Sequence, residues 1–232
     1  MPYFYGFDYT YLIFCLPPLL LAMWAQFKVK STFSHYSKVA SERGMTGRDA
    51  ARLILDANGL HHVGVSQIAG ELTDHFDPKD NIIRLSDPVY NARSVAAVGV
   101  AAHEAGHAVQ HAVGYAPMKW RSALVPVTNL GSTLSMPLVL LGIVLSFETL
   151  AYIGVILFSA TAIFQLVTLP VELNASRRAL AALEGSGMSR DGLKGAKKVL
   201  TAAALTYVAA LLTAVGNLLR LLVLVRRNDD RR

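Results

Sequence analysis

The sequence predicts a mainly α-helical, multi-span membrane protein with a small α+β segment that carries an HExxH motif on a helix. Three observations carry this prediction. Apolar blocks of span length recur along the chain, a polar segment at 28–127 separates the first two, and that segment contains "VAAHEAGHAVQH" at 100–111. Of the 232 residues, 53% are hydrophobic and 16% charged, too polar-poor a composition to wrap such blocks as the core of a soluble protein.

A helical span needs about 20 apolar residues. "YTYLIFCLPPLLLAMWAQF" (9–27) has no charge and ends at an aromatic and lysine border. It lacks a basic leading region and a small-residue cleavage pattern, and it holds Pro17-Pro18 in mid-run, so it reads as a retained anchor. The stretch from 130 to 169 carries a single acid, Glu148, and is long enough for two spans, 128–147 and 149–170, turned at "SFET". A fourth span at 201–225 is interrupted by Arg220. Between the third and fourth, 171–200 reads as a helix. Cys15 is the single cysteine, so there is no disulfide framework and no thiolate metal site.

The net charge of +6 has no basic-aromatic stripe or nucleic-acid motif to go with it, so nucleic acid is not an expected partner. Such a surplus fits loops that face anionic lipid. Eleven Lys and Arg lie in 28–127 and six in 171–200, with none before the first span and none in 146–149. The positive-inside rule then puts both basic segments in the cytoplasm and the N-terminus outside. The tail "RRNDDRR" opposes this, because four spans would leave its four arginines outside.

Within the polar segment, "MTGRDAARLILDANGL" (45–60) reads as an amphipathic helix capped by Thr46 and Asp49 and closed by Gly59. β-branched runs at 63–68 and 82–85 flank a turn at "DPKDN", which predicts a small sheet or hairpin. Asp74, His75, Asp77 and Asp80 lack the ligand spacing of a calcium loop and read as a polar turn. The alanine-rich stretch 94–114 predicts a helix from a Ser94 cap to Gly114.

On that helix His103 and His107 are four apart, so both imidazoles can face one ion. Glu104 directly follows His103, the position from which a carboxylate can accept a proton from a water that zinc acidifies to a pKa of about 7. The alternative is a helix with bystander histidines. Against it, two imidazoles and a carboxylate amid alanine and valine need a reason to be there. His111 lies about 12 Å along the axis from His103 and cannot join the same ion from a straight helix. A catalytic zinc takes three protein ligands. The best third candidate is Glu172, where the membrane hairpin returns the chain to the face it left, in a helix that can begin after Pro170. Glu148 sits in the opposite turn, and Glu184 and Asp191 read as solvated. His75 and Asp77 remain open if the 74–80 turn folds over the site.

"TDHFDPKDNIIRLSDPVYNARSVAAVGVAAHEAGHAVQH", followed by a membrane hairpin and "ELNASRRAL", resembles the YugP-like neutral zinc metallopeptidases, bacterial membrane proteins, over nearly the whole chain. The order HExxH, hairpin, Glu is also similar to membrane gluzincins of the HtpX and CAAX-protease type. The resemblance implies a zincin-like catalytic segment, one Zn2+ held by His103, His107 and Glu172, and Glu104 as the catalytic carboxylate. It also implies a bacterial cell membrane location and a polypeptide substrate. One departure stands out: such relatives carry Asp four residues after the ligand glutamate, where this chain has Ser176.

The reading that follows is a membrane-anchored zinc endopeptidase with a cytoplasmic-face site, acting on membrane or membrane-proximal polypeptides. An edge strand would pair with the substrate backbone, with 81–85 as the candidate. Tyr90, Asn91, His75 and Asn174 are candidates for stabilising the oxyanion. Two alternatives differ in kind. One is a non-enzymatic membrane scaffold with a structural metal. The other is a site-2-type intramembrane protease, whose later-span N-x-D-G-like motif does not occur here.

Overall fold

The computed structural model describes residues 3–4 and 7–229. It is mainly helical with one small three-stranded sheet, and the chain divides into two compact units.

Unit 1 comprises residues up to Ala25, Lys119–Leu169 and Thr206 onwards. It begins with a two-strand ribbon, β1 (Tyr3–Phe4) and β2 (Phe7–Asp8), followed by α1 (Tyr9–Phe14) and the start of α2 (Leu16–Tyr36). The expected unbroken helix over 9–27 is therefore interrupted at Cys15. Pro17 and Pro18 have no N–H to donate back to the preceding turn, so the ladder breaks there. After the second unit's insert come α6 (Ala116–Val144), α7 (Glu148–Gly185) and α8 (Arg190–Asp229). Among the described residues, three helices are long and apolar enough to cross a membrane: Ala116–Val144, Glu148–Gly185 and Arg190–Arg227. α2 is not one of them, because its last third turns polar from Lys28 onward. The packed interior of this unit is small, built on Val139, Ala151, Val155, Leu221 and Val225. At one point α6 and α7 meet almost backbone to backbone, where a Cβ on Gly154 would lie 2.7 Å from the Ser135 carbonyl oxygen. Close approach through small residues is how helices associate where apolar burial gives them no advantage over lipid.

Unit 2 comprises Gln26–Met118 and Pro170–Leu205. Its first helix after α2 is α3 (Gly47–Ala57), where the Thr46 hydroxyl accepts from the Asp49 N–H and the Asp49 carboxylate accepts from the Thr46 N–H. Gly59, at φ +70°, ends it in the left-handed conformation that glycine adopts without strain. The sheet holds β3 (Gly64–Ile68), β4 (His75–Asp77) and β5 (Ile82–Ser86) in the order β3-β5-β4. β3 runs parallel to β5, with Val65 opposite Ile83, and β4 is antiparallel to it, with Phe76 opposite Ile83. The strand expected to offer a free edge, 81–85, is thus the central strand. Its Ile83 and Leu85 are fully buried, whereas the edge beside it is the short, polar β4, the kind of strand that sits at an edge without inviting aggregation. Of the cluster expected as a polar turn, only the stretch after Asp77 is one: Asp77 accepts from the Lys79 N–H, and Arg84 spans Asp77 and Asp80. His75 and Asp77 themselves lie in β4, and Asp74 accepts from the Ser86 N–H and hydroxyl.

A four-residue helix, α4 (Asp87–Tyr90), leads into α5 (Val95–Ala112), whose Ser94 hydroxyl caps the Ala97 N–H. The core of this unit packs α3, β5, α5, the end of α7 and the start of α8 through residues such as Ile54, Leu85, Val98, Leu183 and Leu200. Residues 171–200, expected as one helix, belong to two. α7 continues through Pro170 to Gly185, and a turn at Ser186–Ser189 precedes α8. Pro170 therefore lies in a helix interior and does not start a helix there. Loss of one backbone bond is tolerated in long apolar helices whose neighbours re-satisfy the freed groups.

α5 and α7 touch at Gly106, where a Cβ would lie 2.6 Å from the Ala175 carbonyl oxygen. Gly106→Ala should therefore force the helices apart and destabilise by about 1–3 kcal/mol. Gly185→Ala, at a position with nothing within 4 Å of the added carbon, should be neutral or stabilising. Thermal unfolding of the detergent-solubilised variants measures both, and equal midpoints would mean that the contact is not tight.

Candidate metal centre

α5 forms because Ala, Val and a Ser94 cap favour it, and its helical period puts His103 and His107 on one face. α7 crosses that face at Gly106 and delivers Glu172, which is 2% exposed. One carboxylate oxygen of Glu172 lies 3.2 Å from His103 Nε2 and 3.4 Å from His107 Nε2. One ligand atom from each of the three residues lies within 4.8 Å of the others. A tetrahedral zinc with bonds of about 2.0–2.1 Å separates its ligand atoms by about 3.3–3.4 Å. Two imidazoles and a carboxylate are also a donor set that suits zinc. The residues fit such an ion.

The ring nitrogens that point away from Glu172 both have partners. His103 Nδ1 is 3.1 Å from the Ser176 hydroxyl, and His107 Nδ1 is 2.9 Å from Gln110 Oε1. Gln110 is fully buried, and its amide nitrogen donates to the Val171 carbonyl at 2.8 Å and to Asn174 Oδ1 at 3.0 Å. Asn174 Oδ1 also accepts from Arg178 Nε at 2.9 Å. With its nitrogen committed twice, the amide must turn its oxygen to His107. That oxygen holds the proton on Nδ1 and leaves the Nε2 lone pair facing the site. Burial disfavours a charged His107, but the hydrogen bond to Glu172 and the nearby Glu104 charge outweigh it and hold its pKa above the ordinary histidine value. A bound cation would displace that proton, since ligation needs the neutral ring.

Glu104 is buried at 8% exposure, beside His103 in sequence and close enough for its charge to act on His107. His111 is exposed and its ring lies against Phe76, 5.7 Å between centroids, apart from the three-residue cluster. His75 and Asp77, the open alternatives for a third ligand, lie in β4, where His75 Nδ1 bonds the Thr73 carbonyl and Asp77 pairs with Arg84. Neither belongs to the cluster. Glu148 opens α7 in unit 1, Glu184 is exposed, and Asp191 pairs with Lys194. Of the oxyanion candidates, Asn174 is tied into the support of His107, Tyr90 lies under the Arg48 guanidinium, and Asn91 is exposed beyond α4. Gln110 is the residue that sequence reasoning missed. Its one signal was position, three residues after His107 and so on the same helix face.

Gln110→Ala should weaken zinc affinity about 10–100-fold, because it frees the His107 ring and leaves the Val171 carbonyl and Asn174 without this donor. Ser176→Ala should cost less, since its hydroxyl holds one ring and nothing else. Competition with a chromophoric chelator measures both, and an unchanged affinity in Gln110→Ala would remove its role.

A family described as "Putative neutral zinc metallopeptidase" matches residues 11–226. The chain is 47% identical over 221 residues to a protein of Bacillus subtilis (strain 168) named "Putative membrane protease YugP", covering 95% of this chain and 98% of that protein. No solved structure matches the chain. The match over nearly its full length means that this chain belongs to the neutral zinc metallopeptidase family.

Proposed function

We propose that this protein is a membrane-anchored zinc endopeptidase that hydrolyses membrane or membrane-proximal polypeptides. The observation that carries the proposal is the convergence of His103, His107 and Glu172 within 4.8 Å, beside a buried Glu104. His103, His107 and Glu172 would hold one Zn2+. When bound, the ion supplies a Lewis acid that acidifies water and polarises a carbonyl. Glu104 accepts the proton of the attacking water and returns it to the leaving amine, a role worth about 10²–10⁴ in rate. Gln110 and Ser176 hold the two rings so that their Nε2 atoms stay aimed at the site. With β5 in the centre of the sheet, the edge nearer α5 is β4, whose Phe76 packs on His111. β4 is therefore the strand that would pair with an extended substrate.

The basic segments 28–127 and 171–200 would lie on the cytoplasmic side of a bacterial cell membrane, with the segment at 9–27 and the three long apolar helices as anchors. The basic tail supplies Arg226 and Arg227 at the end of α8, and residues 230–232 lie outside the described part of the chain.

Glu104→Gln should keep one zinc per chain and lose hydrolysis of an unfolded membrane-protein substrate by about 10²-fold or more. His103→Ala, His107→Ala and Glu172→Ala should lose both zinc and activity. Equal turnover by Glu104→Gln and wild type would leave a scaffold with a structural metal. A zinc-free Glu104→Gln would make that residue a ligand instead.

Cysteines introduced at Lys79 and Lys119 should resist a membrane-impermeant maleimide in intact cells and react after the cells are opened. Efficient labelling from outside would reverse the topology.

A further inference from the structure

In unit 2 the last turns of α2 and the first turns of α8 line a groove of about 650 Å³. On α2 the lining positions are 28, 31, 32, 35 and 36, and on α8 they include 194, 197, 198 and 201. Both sets follow the helical repeat, so one face of each helix is turned into the groove. Those faces bring together Lys28, Lys194, Lys197 and Lys198. No carboxylate is among the described lining residues. Among the described residues, the acid paired with any of these lysines is Asp191, 3.4 Å from Lys194 with a side chain 94% exposed, where an ion pair contributes little. The four lysines are exposed, so water screens their mutual repulsion, and an anion among them would meet like-signed groups from both walls. At one point of the groove α8 presses on Tyr36, where a Cβ on Gly195 would lie 2.8 Å from the ring. The groove is thus set by backbone-to-ring contact and does not depend on the flexible lysines alone.

Its position indicates the kind of anion. Lys28 directly follows Phe27, which is 71% exposed, an aromatic border of the sort found at a membrane surface. On the other wall, Leu205 ends the lining just where α8 enters its long apolar run. A ligand here meets the ammonium groups of Lys194, Lys197 and Lys198 on α8, and on α2 that of Lys28, which borders the exposed Phe27. We infer that this groove binds the headgroup of an anionic membrane phospholipid, its phosphate among the lysines. Basic pockets beside membrane helices suit such headgroups, and the volume is that of an ordinary ligand site. The inference rests on the proposed membrane placement but not on peptidase activity.

The test is native mass spectrometry of the full-length, detergent-solubilised protein titrated with phosphatidylglycerol, with phosphatidylcholine, or with inorganic phosphate. One phosphatidylglycerol per chain should bind in preference to phosphatidylcholine. Changing Lys28, Lys194, Lys197 and Lys198 together to Gln should abolish that preference, and Lys194→Gln with Lys198→Gln alone should weaken binding roughly ten-fold or more. Changing all four to Arg should retain it. A charge-matched variant with Gln at 30, 38, 79 and 119, in place of lysines that do not line the groove, should bind as wild type does. Equal loss in both Gln sets would reduce the effect to general surface charge and overturn the site. Displacement of the lipid by millimolar phosphate would make this a free-phosphate site and overturn the lipid assignment. Because no peptide is present, failure here leaves the proposed hydrolysis standing, and failure of hydrolysis leaves this result standing.

Discussion

The candidate centre depends on the contact between α5 and α7 at Gly106. Glu172 comes from a part of the chain far from the histidines, and it reaches them because α7 lies against α5 with no side chain between Gly106 and the Ala175 carbonyl. A carboxylate buried this deeply would be costly alone, and so would a buried imidazole. Together they satisfy each other through Nε2 and the shared oxygen, while Ser176 and Gln110 satisfy the remaining ring nitrogens. Such a network contributes when it is complete and costs when it is partial. This ties its members to one helix spacing.

What was legible in the sequence had a local cause. The Thr46 and Asp49 cap, the Ser94 cap and the ends at Gly59 and Gly114 each follow from chemistry within a few residues. The pairing of Glu172 with the histidines was inferred by another route, a hairpin that returns to its starting face. What was not legible was non-local. A parallel β3–β5 pair with β4 on the far side leaves no sequence signal beyond three short runs, so 82–86 looked as fit for an edge as for the centre. Gln110 escaped notice because one amide in an alanine-rich helix has no periodic pattern, and one of its partners, the Val171 carbonyl, has no side-chain identity at all. Pro170 misled for a related reason: its local preference is to start a helix, and the packing around α7 overrides it.

Ser176 is where the resemblance and the structure inform each other. Where the resemblance leads to an expected Asp, this chain has a hydroxyl that still reaches His103 Nδ1. A hydroxyl orients the ring as a carboxylate would, but it brings no charge to raise the basicity of the ligand nitrogen. The two imidazoles are therefore held differently. Both are oriented by neutral groups, yet only His107 is backed by an amide that is itself fixed by two further acceptors. By this count His103 has the softer support of the two.

α7 is one unbroken helix, Glu148–Gly185, so the ligand-bearing turn and the apolar run before it share a single helical register. Each residue along a helix turns its side chain by about 100°. Adding or deleting one residue between Glu172 and Ala175, where α7 meets Gly106 of α5, would therefore swing the carboxylate off the α5 face, even with every side chain of the centre retained. The same continuity fixes Val171, Glu172, Asn174, Ser176 and Arg178 relative to one another within two turns. That explains how one short stretch of α7 supplies a candidate ligand, the hydroxyl behind one histidine and the anchors behind the other.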